Sequence, residues 1–275
     1  STNLNIIIKF DIIYIQYRNY TKLNSEENME SYYHLAEYYD VLMDDVDYNH
    51  WCDFIEEILN IYNCKPQHIL DTACGTGNIT IPLAAKGYSI WGVDISEEML
   101  AIAENKARNK KLNIKFIKQN MTDLALNKSF DAVLCMCDGV NYIIEEEDLV
   151  KYFKTVNNMI NTGGVFIFDI SSRYKLTNIL GDNTLFQEKD DFCYVWENSF
   201  DEEEELLEMH LNFFIPQQGM YKRMEEYHVQ KAYTEEYLIK LLSEAGFQNI
   251  RSFDDMKLKK TNNKSERIFF AAQKL

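Results

Sequence analysis

The sequence predicts an α/β fold: a mostly parallel seven-stranded sheet with helices on both faces, and a small antiparallel β insertion. Three observations carry the prediction. Short apolar runs alternate with amphipathic segments from residue 67 onward, a glycine-bearing turn joins the first run to the helix behind it, and a stretch of two-residue periodicity interrupts the alternation near residues 191–233. Strands alternating with helices need crossovers, which leave a parallel sheet covered on both faces. Strict apolar–polar alternation instead marks a half-buried strand.

Helical signals run over residues 31–45, a tyrosine-rich segment, and over 49–63. QHILDTA is the first strand, and a helix follows over residues 78–86, closed by Gly87. YSIWGVD is the second strand. Ser96 caps a helix reaching residue 109, with Glu97 and Glu98 in its positive first turn. NIKFIKQ, FDAVLCMC and VFIFDI are the next strands, the last one following the turn NTGG. Residues 191–233 read as three strands; Leu207, Met209, Leu211 and Phe213 alternate there with polar residues. The acidic run 201–205 falls at the first bend and reads as a solvated hairpin tip rather than a cation site. A helix over 234–245 and the strands FQNIRSFD and ERIFFAAQ complete the chain. The expected organisation is an N-terminal extension (1–30), a core (31–182 with 234–275) and a β insertion (183–233).

At 275 residues, 46% of them hydrophobic, the chain can bury a substantial core. A net charge of −16 disfavours general nucleic-acid binding, which needs clustered cations against phosphates. Lys257, Lys259, Lys260, Lys264 and Arg267 are read as a solvated basic edge. The six cysteines form no CxxC pair and have no histidine at zinc spacing, so no metal is expected and a reducing, cytoplasmic setting is. No run reaches the ~20 apolar residues of a membrane helix. The apolar N-terminal run carries Lys9 and Asp11 and lacks a signal-peptide cleavage site. Residues 1–28 supply no motif chemistry and are expected to be dispensable for ligand binding.

The chemistry concentrates in DTACGTGN, residues 71–78. Glycine at a strand-to-helix turn lets a ligand approach the backbone, and the helix behind it offers free N–H groups. Asp94 ends the second strand, where a carboxylate can accept from both hydroxyls of a ribose. Together these describe a site for an adenosine-bearing ligand. A dinucleotide fingerprint would carry a third glycine where Thr80 stands, and it would not require the acid Asp71. S-adenosylmethionine carries an ammonium and no phosphate, so an acid there suits it; Asp71 could alternatively satisfy turn amides.

ILDTACGTGNIT with GVDISEEMLAIAENKA, then IKQNMTDL, SFDAVLCMCDGVNYI and NTGGVFIFDI, resembles class I S-adenosylmethionine-dependent methyltransferases, across roughly residues 32–275. The tyrosine-rich helix and the β insertion look like the bacterial small-molecule type (methyltransferase domain 25/11-like). The resemblance implies a Rossmann-like sheet and S-adenosylmethionine as cofactor. It implies that Asp71, Ala73, Cys74, Gly75, Thr76 and Gly77 hold the methionine end and that Asp94 binds the ribose. Ile95 and Met99 would pack on the adenine, and Asn120 and Met121 would meet its edge. Cys137 and Asp138 would lie near the methionine chain, with Tyr32 and Tyr39 closing over the cofactor. Many family members have Asp where Asn120 stands; its oxygen could still accept from the adenine amino group and its nitrogen could donate.

Methyl transfer is an in-line displacement in which orientation can supply ~7–11 kcal/mol, more than a general base, so no catalytic residue is assigned. Asn141, Tyr142, His210, Tyr227 and His228 are the candidates to contact a small-molecule acceptor under the β insertion. A non-catalytic S-adenosylmethionine binder and a nucleotide-dependent oxidoreductase stay open as alternatives.

Overall fold

The computed structural model describes residues 36–189 and 192–275. The N-terminal extension, Tyr32 and the first turn of the expected tyrosine-rich helix lie outside the described residues.

The chain opens with helices α1 (Ala36–Leu42) and α2 (Tyr48–Ile61), the second capped by Asp47, which accepts from the N–H groups of Asn49 and His50. Then come β1 (His68–Thr72), α3 (Thr80–Ala85), β2 (Ser89–Asp94), α4 (Glu97–Asn109), β3 (Lys115–Lys118) and β4 (Phe130–Cys135). Ser96 caps α4 as expected, its hydroxyl accepting from the Met99 N–H. Helix α5 (Glu146–Met159) leads into β5 (Ile160–Ser171), and α6 (Glu235–Glu244), β10 (Gln248–Asp254) and β11 (Arg267–Gln273) close the chain.

Seven strands form one sheet in the order β10-β11-β5-β4-β1-β2-β3. Neighbours from β5 across to β3 pair parallel, and β11 runs antiparallel between β5 and β10. Successive residues on a strand face opposite ways, and β11 uses this to bury aromatics on both sides. Phe269 meets Trp51 and Phe54 of α2, with ring centroids 5.3 and 5.0 Å away, while Phe270 stacks on Phe168 of β5 at 4.8 Å. The second face continues through Phe166 and Phe153 to α5. Each such ring contributes about 1.5–3 kcal/mol on full burial. Helices therefore cover both faces because both faces of the strands are apolar.

Four details differ from the sequence expectation. Helix α5 was not foreseen as a separate element; it buries Leu149, Tyr152, Phe153, Val156 and Met159, a helical stripe. The NTGG segment belongs to β5, whose register shifts against β4 between Phe130 and Ala132. Helix α3 starts at Thr80, two residues later than expected, and the Asn78 side chain bonds to Asp40. The insertion has four strands rather than three: β6 (Thr184–Glu188) precedes β7 (Cys193–Asp201), β8 (Leu206–Gln217) and β9 (Met220–Lys231). All five β6 residues are exposed, so no alternation marked it.

The second sheet, β6-β7-β8-β9, is antiparallel throughout. Its inner face carries Leu207, Met209, Leu211 and Phe213, as their alternation predicted, packed with Leu176, Leu180 and Phe192. Leu176 and Leu180 come from a π-helical segment, Lys175–Leu180. At the acidic bend Asp201 accepts from the N–H groups of Glu203 and Glu204, and Glu205 pairs with Arg173 at 2.7 Å. No helix among the described residues is long and apolar enough to cross a membrane.

Candidate functional site

In an open α/β sheet the ligand crevice lies beyond the carboxyl ends of the strands, and here the loops after β1, β2 and β4 converge there. After β1 the backbone turns sharply: Ala73 and Gly75 have φ of 58° and 53°. A Cβ on Gly75 would meet nothing within 4 Å, so this side of the turn is open to a ligand. The loop after β4 packs directly against the turn. A Cβ on Gly139 would lie 2.8 Å from the Cys135 sulfur and 3.3 Å from the Ala73 Cβ, so glycine is what lets the two loops touch.

Asp71 forms the floor, its side chain buried and its carboxylate accepting from the Thr80 hydroxyl at 2.5 Å. Burial raises its pKa to about 7; the Thr80 hydrogen bond opposes this and the charge of Asp94 adds to it. Thr80, in place of a third glycine, thus serves the acid. Asp94 accepts from the Gly75 N–H at 2.7 Å with one oxygen and from the Ser96 N–H at 2.9 Å with the other. The carboxylate offers about four lone pairs, more than its amide partners use. Burial pushes its pKa up, while hydrogen bonds from the Ser96, Gly75 and Ile95 amides act against that.

A pocket at this point is lined by Asp71, Ala73, Cys74, Gly75 and Thr76 from the turn, by Asn78 and Ile79 behind it, by Met136 and Cys137 after β4, and by Tyr39 and Tyr48. Burial first, then neighbouring charge, keeps Tyr39, Cys74 and Cys137 protonated well above their usual ranges. Tyr48 was not among the expected residues, nor was Asp40. Asp40 accepts from Thr76 at 2.7 Å, Asn78 at 2.9 Å and Lys106 at 2.8 Å, tying α1 across the glycine turn to α4. Burial raises the Asp40 pKa, but the bonds from Lys106, Thr76 and Asn78 outweigh it and the net shift is downward. The only signal in the sequence was the position of Asp40 beside Tyr39.

The remaining cofactor candidates separate. Ile95 is 39% exposed at the end of β2, whereas Met99 is buried beneath α4. Asn120 spends its oxygen on the Thr122 N–H and hydroxyl, capping the short turn Met121–Asp123. Of the two expected roles, accepting through the oxygen and donating through the nitrogen, the donor is the one left for a ligand. Met121 is half-buried against the core. Asp138 departs from expectation: its carboxylate is committed to Arg267 at 2.9 Å and Gln230 at 2.7 Å. Arg267, expected on a solvated edge, is itself mostly withdrawn from solvent between Asp138 and Asp169, because β11 is an interior strand.

The five acceptor candidates do not form one site. Asn141 is fully buried and structural: its amide donates to the carbonyls of Ser171 and Lys231, and its oxygen accepts from the Ser171 N–H. Tyr142 and His228 meet edge-on, with centroids 6.0 Å apart. Burial pushes the His228 pKa down to about 4, so its ring is neutral at pH 7. His210 and Tyr227 stack on each other at 4.2 Å, with His210 also bonded to Glu225. They occupy the opposite face of the sheet from His228, since adjacent strand residues point apart.

A methyltransferase-domain family profile matches residues 69–164. The chain is 35% identical over 246 residues to a methyltransferase-family protein of Geobacillus sp. (strain WCH70), covering 89% of this chain and 100% of the relative. It is 36% identical over 245 residues to the methyltransferase-family protein YqeM of Bacillus subtilis (strain 168), covering 88% of this chain and 97% of YqeM. Among solved structures, an S-adenosylmethionine-dependent methyltransferase from Clostridium acetobutylicum ATCC 824 superposes with a TM-score of 0.80 at 41% identity, covering 86% of this chain and 96% of that one.

Proposed function

Because this chain belongs to the class I S-adenosylmethionine-dependent methyltransferase family, we propose that it moves a methyl group from S-adenosylmethionine to nitrogen, oxygen or sulfur of a small-molecule acceptor. The observation that carries the cofactor assignment is Asp71, a buried carboxylate that, among the described residues, accepts its hydrogen bond from a neutral hydroxyl, at the floor of a pocket. A buried acid raised to about 7 gains from a cation beside it, and the ammonium of the methionine end is such a cation. The open Gly75 side and the spare lone pairs of Asp94 fit the rest of the molecule.

When bound, S-adenosylmethionine supplies an electrophilic methyl on a sulfonium leaving group. Asp71 and the turn 73–76 would hold the methionine end; Asp94, bonded to that turn at Gly75, would hold the ribose, and the exposed Ile95 after β2 would meet the adenine. Tyr39 and Tyr48 would exclude water and present ring faces to the positive centre, an interaction of about 0.5–2 kcal/mol. Cys137 stays a thiol and so does not compete as a nucleophile.

The acceptor would lie between Tyr142 and the inner face of the second sheet. That face carries His228, and also Trp196 and Asn198, whose side-chain nitrogens, with the Asn198 oxygen, are buried without a hydrogen-bond partner among the described residues. Buried polar groups are ordinarily paired, so these suit a polar acceptor. Calorimetry with S-adenosylhomocysteine and with NAD tests the cofactor, and labelled-methyl transfer into a deproteinised metabolite extract tests the reaction. Binding of NAD in place of S-adenosylhomocysteine would sink the reading.

A further inference from the structure

Behind the pocket wall lies a buried ionic joint that the site described above does not use. Cys137 and Asp138 are consecutive non-glycine residues with φ of 59° and 54°, a backbone region that L side chains disfavour. Successive amides in such a turn form a concavity that binds anions. Its occupant here is Asp169 of β5, which accepts from the Cys137 N–H at 2.7 Å and the Asp138 N–H at 3.1 Å. Arg267 of β11 bonds both Asp169 and Asp138, and its guanidinium lies 5.2 Å from the Trp51 ring of α2. The other oxygen of Asp138 accepts from Gln230 of β9 at 2.7 Å.

Two carboxylates, Asp169 fully buried and Asp138 partly so, thus share one guanidinium, and Lys175 is the other cation acting on them. Removing one partner of a buried ion network is far costlier than replacing the whole network, because a charge is left uncompensated. The neighbouring bonds of Asn141 to Ser171 and Lys231 anchor the same loop to the same two strands, β5 and β9.

We infer that Arg267 is a positioning residue for the cofactor pocket. Through Asp169 it holds the left-handed Cys137–Asp138 turn that forms the pocket wall, and through Asp138 and Gln230 it locks that wall to β9 of the second sheet. The inference rests on the assignment of this pocket to S-adenosylmethionine.

Calorimetric titration of the full chain with S-adenosylhomocysteine tests it. Arg267→Met is expected to weaken binding at least about tenfold, because two carboxylates are left facing each other. Arg267→Met combined with Asp138→Asn restores charge balance and is expected to bind within about threefold of wild type. Lost packing on Trp51 would persist in the double variant, so rescue separates positioning by charge from bulk. If Arg267→Met does not fold, the double variant decides alone. Folded and binding within that margin, it supports the inference; unfolded, or folded and still about tenfold weaker, it overturns it. Wild-type affinity in Arg267→Met overturns the inference and leaves the cofactor reading standing. A wild-type chain that does not bind S-adenosylhomocysteine overturns both.

Discussion

Asp71 links the electrostatics of the pocket to its ligand. Its folded pKa of about 7 lies above the ordinary carboxylate value, so the folded protein holds an extra proton between about pH 4 and 7. The unfolded chain binds fewer protons there, so the contribution of this site to stability is present below that window and is lost as pH rises through it. A ligand ammonium favours the ionised carboxylate, so binding near pH 6.5 should expel part of a proton. The apparent enthalpy of S-adenosylhomocysteine binding should therefore differ between phosphate and Tris buffers, and Asp71→Asn should remove the difference and weaken affinity. Identical enthalpies in the two buffers for the wild-type chain would show that Asp71 does not meet the ammonium. Asp94→Ala should weaken S-adenosylhomocysteine at least tenfold, since hydrogen bonds to a charged acceptor are worth ~1.5–3 kcal/mol and the Gly75 and Ser96 amides lose their anchor as well. Circular dichroism would establish that the variant is folded, and unchanged affinity in a folded variant would remove Asp94 from the site.

At the scale of elements, α1 packs on the second sheet through Tyr38, Tyr39 and Leu42 and is tied to the glycine turn by one residue. Asp40 takes hydrogen bonds from Thr76 and Asn78 in the glycine turn and from Lys106 of α4, while its neighbour Tyr39 lines the pocket. With the Asp40 side chain 39% exposed, the Lys106 pair contributes modestly to stability. The consequence should instead appear in kinetics. Asp40→Ala is expected to speed S-adenosylhomocysteine dissociation about tenfold in stopped-flow displacement, with little change in melting temperature. An unchanged off-rate would mean that α1 does not gate the pocket. The second sheet behaves differently, because Gln230 and the Lys231 carbonyl are bonded to the loop after β4. It is joined to the wall of the pocket by these bonds.

For the whole molecule, the charge of −16 and the withdrawal of Arg267 from solvent both argue against a nucleic-acid substrate. The latter withdraws one cation from the only basic segment near the C-terminus. Acidic surfaces repel a phosphate backbone at long range. Filter binding with bulk tRNA at physiological salt should give no specific retention; sub-micromolar, saturable binding would contradict a small-molecule acceptor.

Periodicity and turn chemistry are local, and what they govern was legible from the residues alone. The alternation of strands and helices, the Ser96 cap and the inward set Leu207, Met209, Leu211 and Phe213 all follow from neighbours a few positions apart, and the placing of Asp94 at a strand end let its meeting with the Gly75 turn, 19 positions away, be expected. Strand β6 escaped because none of its residues is buried, and the alternation that reveals a strand is a record of burial. His228 and Tyr227 could have been separated by the same two-residue rule, which sends adjacent side chains to opposite faces. The uses of Asp138, Asn141 and Arg267 could not have been read this way. Asp138 meets Arg267 across 129 positions, and Asn141 meets Lys231 across 90. A side chain at a strand end can serve a ligand or a neighbour, and its own residue type is the same in either case. Only tertiary structure decides, by bringing a distant partner of opposite charge or matching hydrogen-bond capacity into a place that water has left.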